Sequence, residues 1–367
     1  MTLDLYFARR FLRSVLGVGG AFFLLLALID LVELLRKLTD TDTSLAQVAG
    51  LIVLNAPKGL NQILPLIMIL ATVALFIGMA RSSELVVARA AGRSALRSLM
   101  PTMVVAALIG VLATVLLNPI VAATSKRYNT LYEYYRTGSV ESFSFSSEGL
   151  WLRQSGHGEE GQTVIRAARA NPEGTQLYDV TMLTYAPGAG PVRRIEADTA
   201  ELGNGGWLLR GAKIWPLEGV VNPEANAEVL PQVQIASTLT EDSIRDSFAQ
   251  PDVISVWELP AYIRDLEAAG FSGRRHEVWL QRELARPLFL VAVVLASAAF
   301  TMRHARSGRT GISVLSAVML GFALYYIRNF AQILGESGQI PVMLAAWAPP
   351  VASFLLALGL LLYKEDG

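Results

Sequence analysis

Residues 63–80 read ILPLIMILATVALFIGMA, a run without a single charged side chain. A helix that crosses a ~30 Å hydrocarbon layer needs about 20 such residues. Five more runs of this character lie on either side: Ser14–Leu35 (charged only at Asp30 and Glu33), Leu99–Val121, Pro287–Met302 (extendable back to Leu280), Ile312–Leu334 and Pro341–Tyr363. A less regular apolar stretch, Leu45–Ala56, leads into residues 63–80 through Pro57, Lys58 and Pro65. Six transmembrane helices are predicted. Buried helices of a large soluble protein fit poorly, because they are shorter and keep a polar stripe. Ser14–Leu35 is too long for a signal-peptide core and no small-residue cleavage site follows it, so it reads as a retained first helix.

Composition agrees. Of 367 residues, 53% are hydrophobic and 17% charged, and the mean hydropathy is +0.42. With 31 Lys+Arg against 31 Asp+Glu, the formal charge is zero, which argues against a nucleic-acid binder. The absence of cysteine removes disulfide scaffolds, thiolate metal sites and thiol nucleophiles together.

Orientation follows from the short loops. Arg9, Arg10 and Arg13 precede helix 1; Arg81, Arg89, Arg93 and Arg97 lie between helices 2 and 3. Arg303, Arg306 and Arg309 lie between helices 4 and 5, and Lys364 follows helix 6. The opposite short loops hold only Arg36 and Lys37. The positive-inside rule then puts both termini in the cytoplasm and the long segment between helices 3 and 4 outside.

That segment has a different character. Across residues 138–255 there are 8 Lys+Arg against 16 Asp+Glu and no membrane-length run. Alternating stretches at Phe143–Arg153, Thr163–Ala168, Leu177–Tyr185, Val192–Ala197 and Trp207–Trp215 are separated by turn signals such as Asn171-Pro172, Pro187-Gly188 and Asn204-Gly205-Gly206. Period-two alternation between such clusters predicts antiparallel strands, in a β-sandwich or jelly-roll-like module. A short helix within Pro251–Gly270, with Leu259, Ile263 and Leu266 at helical spacing, is expected to lead back to the bilayer. The expected domains are therefore 1–125 (helices 1–3, with a cytoplasmic helix near 81–94), 126–255 (the β module with its leading segment) and 256–367 (connecting helix and helices 4–6).

Enzymatic motifs are missing. The chain has no phosphate loop, no G-x-G-x-x-G after a strand and no G-x-S-x-G elbow. His157, His276 and His304 are scattered and form no zinc pair, so no metal site is expected. Gly270-Phe271-Ser272-Gly273 matches an intramembrane protease by letters alone, with no base to activate the serine.

Three charged features stand out. Asp30 and Arg328 fall inside predicted spans, both ~24 Å up from the cytoplasmic side. Each either snorkels to the outer interface or pairs across a helix–helix contact. Arg36, Lys37, Lys126, Arg127, Arg274, Arg275, Arg282 and Arg286 all map to outer helix ends. They read as helix-end anchors or as a cationic ring for the phosphates of a lipid headgroup. Finally, Arg81–Ser94, closing on Ala90-Ala91-Gly92, reads as a re-entry elbow or as a docking helix presenting Glu84.

SSELVVARAAG (Ser82–Gly92) resembles the coupling segment of the lipopolysaccharide-export permeases, the LptF/LptG family. The resemblance extends through Arg9-Arg10, Leu31–Lys37, Pro57 and Pro65, Gly149-Leu150-Trp151, Leu334-Gly335-Glu336-Ser337-Gly338, Pro341, Ala345-Ala346-Trp347 and Pro349, in the same layout of three helices, β domain and three helices. The Glu84 stretch and the Gly-Glu-Ser-Gly turn look more like the LptG branch than the LptF branch.

The resemblance implies a non-enzymatic inner-membrane permease that pairs with an LptF-like permease and two LptB-like ATPase chains. ATP and Mg would be held by those ATPase chains and no cofactor by this one. Lipopolysaccharide would leave the outer leaflet and pass to LptC-like and LptA-like periplasmic β-jelly-roll partners. Glu84, Leu85, Arg89 and Gly92 would form the ATPase coupling site, and Arg36, Lys37, Lys126 and Arg127 would hold lipid A phosphates, joined by Arg282 and Arg286 from the cationic ring. Asp30, Glu33 and Arg328 would lie at a lateral gate, with Asp30 and Arg328 facing across subunits. The alternatives are the LptF-type paralogue and a membrane scaffold whose β domain only recruits partners.

Overall fold

A computed structural model of the chain describes residues 2–39, 43–90, 92–137, 143–146, 149–155, 162–171, 175–186, 190–203, 206–220, 222–237, 250–268, 272–302 and 310–366. Its helices are α1 (Thr2–Lys37), α2 (Leu45–Arg81), α3 (Glu84–Ala90), α4 (Ala95–Leu112), a π-helical turn (Ala113–Leu117), α5 (Asn118–Thr137), α6 (Leu259–Ala268), α7 (Arg274–Leu284), α8 (Arg286–Thr301), α9 (Thr310–Glu336) and α10 (Val342–Asp366). Among the described residues five spans are long and apolar enough to cross a membrane, and six if the bent pair α7–α8 counts as one span.

Local chemistry sets several boundaries. α2 starts at a capping box, where Ser44 Oγ accepts from the Gln47 amide and Gln47 Oε1 accepts from the Ser44 amide. α4 is capped by Ser94, which accepts from the Arg97 amide at 3.2 Å. The stretch Leu45–Ala56 and the run at residues 63–80 form one α2 that begins at Leu45, with Pro57 and Pro65 inside it. Expected helix 3 continues past Val121 to Thr137, interrupted only by the π turn.

The helices of the first compact unit (Met1–Arg136, Asp252–Trp257 and Arg274–Gly367) pack around α8, in which residues 289–299 are all buried. Phe7 and Phe11 of α1, Met68 and Phe76 of α2, Leu99 of α4 and Phe289 of α8 share its apolar core. Helices in such a bundle meet through close van der Waals fit. A Cβ on Gly110 would fall 2.5 Å from the Pro287 Cα, and one on Gly335 would fall 2.5 Å from the Ala345 Cβ. The segment 252–257 is fastened to this bundle at three points. Asp252 pairs with Lys58 (2.7 Å), the Val256 amide donates to Asn118 Oδ1 (2.8 Å) and Trp257 Nε1 donates to the Val115 carbonyl (3.3 Å).

The second unit comprises Thr137–Pro251 and Glu258–Gly273. Its strands β1 (Phe143–Ser146), β2 (Gly149–Ser155), β3 (Gln162–Ala170), β4 (Gln176–Tyr185), β5 (Pro191–Gly203), β6 (Gly206–Pro216) and β7 (Glu228–Ala236) form one antiparallel sheet in sequential order. The predicted stretch Phe143–Arg153 is thus a hairpin of two strands, and β7 was not anticipated. Pro231 lies within β7 and argues against a central strand, yet β7 is an edge strand, where a missing N–H is tolerated. The sequential order lacks the crossovers of a formal jelly roll, but the sheet curls. Gln154 of β2 donates to the Ala236 carbonyl of β7 and accepts from Ser237. Inside lie Leu150, Ile165, Met182, Ile195, Trp207 and Leu209. Leu266 of α6 is buried in this core, so that helix belongs to the β unit and not to the segment 256–367.

Candidate functional site

The segment between α2 and α4 is a fixed elbow. Ser83 (φ 59) and Gly92 (φ 77) adopt left-handed backbone on either side of α3. At Gly92 an added methyl would meet nothing within 4 Å, so conformation and not space calls for glycine there. The Arg93 amide bonds back to the Ala88 carbonyl (3.3 Å) and closes the helix.

Glu84 faces inward, toward α1. Its carboxylate accepts from Tyr6 Oη (2.9 Å), from Ser82 Oγ (2.6 Å) and from Arg10, with which it forms an ion pair. Tyr6 and Arg10 are one turn apart on α1, so they share a face. Partial burial pushes the Glu84 carboxyl up, but the bonds from Arg10, Ser82 and Tyr6 outweigh it and hold the group below its ordinary value. At the other end of α3, Arg93 binds Asp4 of α1 through both guanidinium branches, at 2.8 and 3.0 Å. Leu85 and Ala88 are buried in the cluster that holds Phe7 and Phe11. Leu85 therefore serves its own chain's core. The apolar pair presented outward is Val86 and Val87, 45% and 68% exposed. The side chain of Arg89 lies outside the described residues, as do Arg303, Arg306, Arg309, His157 and His304.

Arg36, Lys37, Lys126 and Arg127 are all exposed at the C-terminal end of α1 and on α5. Lys37 pairs with Glu33 one turn earlier (2.5 Å). Asp30 accepts from Asn55 of α2 at 2.8 Å. The ends of α1 and α2 enclose Tyr128 and Tyr132 of α5, whose rings stack 5.8 Å apart.

Arg282, Arg286 and Arg328 differ in having partners inside the helix bundle. Arg286 (6% exposed) donates to Asn61 Oδ1 of α2 (2.7 Å) and pairs with the fully buried Glu283 (2.8 Å). Arg282 donates to Asn329 of α9 (3.2 Å). Arg328, 3% exposed, neither snorkels nor meets Asp30 within this chain. It lies over the Phe289 ring (4.6 Å) and donates to the Arg282 carbonyl (3.3 Å). Arg274 acts locally as well. Its guanidinium donates to the Gly335 and Ile340 carbonyls (2.7 and 2.5 Å) at the end of α9, a cap on exposed helix acceptors.

The family model described as "Lipopolysaccharide export system permease LptF/LptG" matches residues 5–363. The chain belongs to the LptF/LptG family. Among curated relatives, the lipopolysaccharide export system permease protein LptG of Escherichia coli (strain K12) is 23% identical over 99% of this chain and 98% of its own length. LptG of Haemophilus influenzae is 22% identical over 100% of this chain and 99% of its own length.

In this LptF/LptG permease of the lipopolysaccharide export system, sequence reading singled out Glu84 and Arg10 separately but missed their contact, and missed Asp4, Tyr6 and Thr114. The Tyr6–Arg10 spacing was the one signal that pointed to it. Thr114 offered none, since its partner is a backbone carbonyl 169 residues away.

Proposed function

We propose that this chain is the membrane permease subunit that takes lipopolysaccharide from the outer leaflet of the inner membrane and hands it to a periplasmic β-jelly-roll bridge of LptC-like and LptA-like partners. Both termini are cytoplasmic and the β unit is periplasmic. ATP is hydrolysed, with Mg, on two LptB-like chains, and an LptF-like permease completes the pair. The elbow carries the reading. Val86 and Val87 are offered to the ATPase, while Glu84–Arg10 and Arg93–Asp4 fasten the same short helix to α1, so a push on α3 is felt by the first span. Arg36, Lys37, Lys126 and Arg127 are the exposed cations suited to lipid A phosphates, which guanidinium and ammonium groups bind well. Asp30 and Glu33 lie on the same span and are assigned to the lateral gate.

The test is co-expression with candidate ATPase and permease partners, followed by lipid-stimulated ATP hydrolysis with wild type and Glu84→Ala. Normal assembly with lost stimulation supports the reading. Normal assembly with wild-type hydrolysis and export removes it.

A further inference from the structure

The α7–α8 pair bends by 52° at Ala285, and the bend has an identifiable cause. Pro287 has no N–H, so the Glu283 carbonyl loses its helical donor. The donor is replaced from another helix: Thr114 Oγ1, in the π turn after α4, bonds that carbonyl at 2.9 Å. Gly110, one turn earlier on the same face, leaves room for Pro287. The neighbouring Arg282 carbonyl takes Nη2 of Arg328 from α9 (3.3 Å), and Asn61 of α2 and Asn329 of α9 hold Arg286 and Arg282.

Polar satisfaction stops short. Of the guanidiniums of Arg282, Arg286 and Arg328, only that of Arg286 pairs with a carboxylate among the described residues, that of Glu283. Among the described residues, Nε of Arg282, Nε of Arg328 and Oε2 of Glu283 have no hydrogen-bond partner. A buried charge left unpaired is costly. Such groups favour an alternative arrangement unless the surrounding helices hold this one. π turns and proline breaks are also where membrane helices yield.

We propose that the α7–α8 break is a hinge, with Arg328 as its bolt. Across the break, the cation–π contact to Phe289 ties Arg328 to α8, and the bond to the Arg282 carbonyl ties it to α7. Arg328 of α9 therefore holds both halves at once, beside the ties that Arg282 and Arg274 make from α7 to Asn329, Gly335 and Ile340. Withdrawing Arg328 frees α7 to swing about Ala285 while α8 stays in the core. Arg328 is a positioning residue here, and the hinge stands whatever lipid the permease carries.

The chain has no cysteine, so two reporters can be placed cleanly. In the full chain in nanodiscs, spin labels at Arg275→Cys on α7 and Met343→Cys on α10 report the angle by their distance distribution. Arg328→Met should broaden or shift that distribution while the protein stays folded. Arg328→Lys, which keeps a donor but loses the flat stacking surface, should restore it in part. An Arg328→Met distribution superimposable on wild type overturns the proposal. Should that variant fail to accumulate, the Thr114–Pro287 pair decides. Thr114→Val should lower the thermal midpoint in the parent chain but not in Pro287→Ala, where the amide has returned. An equal loss in both backgrounds overturns the assignment.

Discussion

Arg93 holds both carboxylate oxygens of Asp4, at 2.8 and 3.0 Å, so the residue that leaves α3 is fastened to the first turn of α1. Glu84 fastens the beginning of α3 to the next turn through Tyr6 and Arg10. With a tie at each end, α3 cannot pivot without moving α1. The ties are polar and lie beside the buried Phe7, Phe11, Leu85 and Ala88, which supply the cohesion.

The Asp4–Arg93 pair should matter more for coupling than for stability. Asp4 is 41% exposed, and solvent-screened pairs of that kind add little to stability. Asp4→Asn should shift thermal unfolding little and reduce lipid-stimulated ATP hydrolysis in the assembled complex. The exchange Asp4→Arg with Arg93→Asp should recover part of the loss.

The Glu84 tie gives a signed pH dependence. A carboxyl held below its ordinary value of 4.5 contributes stability that is complete above that value and is lost as pH falls through the lower folded value. Thermal midpoints followed from neutral to acid pH should therefore fall less steeply in Glu84→Gln than in wild type. Parallel curves would contradict the assignment.

Two glycines of the bundle should respond unequally to alanine. At Gly110 the new methyl meets the Pro287 backbone at 2.5 Å, and overpacking against backbone costs about 1–3 kcal/mol. At Gly321 the nearest atom, at 2.3 Å, is the terminal methyl of Ile69, which can rotate away. Gly110→Ala should lose yield and thermal stability, and Gly321→Ala should lose much less.

In the β unit, Gly211 has φ 65, and its added methyl would lie 2.2 Å from Asp198 Oδ2. Gly211→Ala should destabilise that unit by about 1–3 kcal/mol. Asp198→Ala in the same chain should relieve the collision but not the backbone cost, so proteolytic protection should return only in part.

The spans were legible because an apolar run near 20 residues has few other uses. Their joints were less so. Periodicity gives a face but not a depth, so Arg282 and Arg286 read like Arg36 and Lys37, although Arg286 is buried with a partner on α2 and Arg282 half-buried with one on α9. Arg328 and Asn329 were visible as an oddity in a span, yet Arg328 acts at a break 46 residues away. β7 was hidden by Pro231, which only an edge position allows. At the elbow, Glu84, Leu85, Arg89 and Gly92 were grouped as one coupling site although Leu85 is buried in its own chain's core, because one short helix cannot show which side its own chain covers.

The coupling of α3 to α1 through Glu84 and Arg10 is tested most directly by lipid-stimulated ATP hydrolysis in the reconstituted complex. It is measured for Glu84→Arg, Arg10→Glu and the two together. Normal assembly throughout is predicted, with loss of stimulation in each single variant and recovery in the double. Single variants that assemble and respond to lipid like wild type would contradict it.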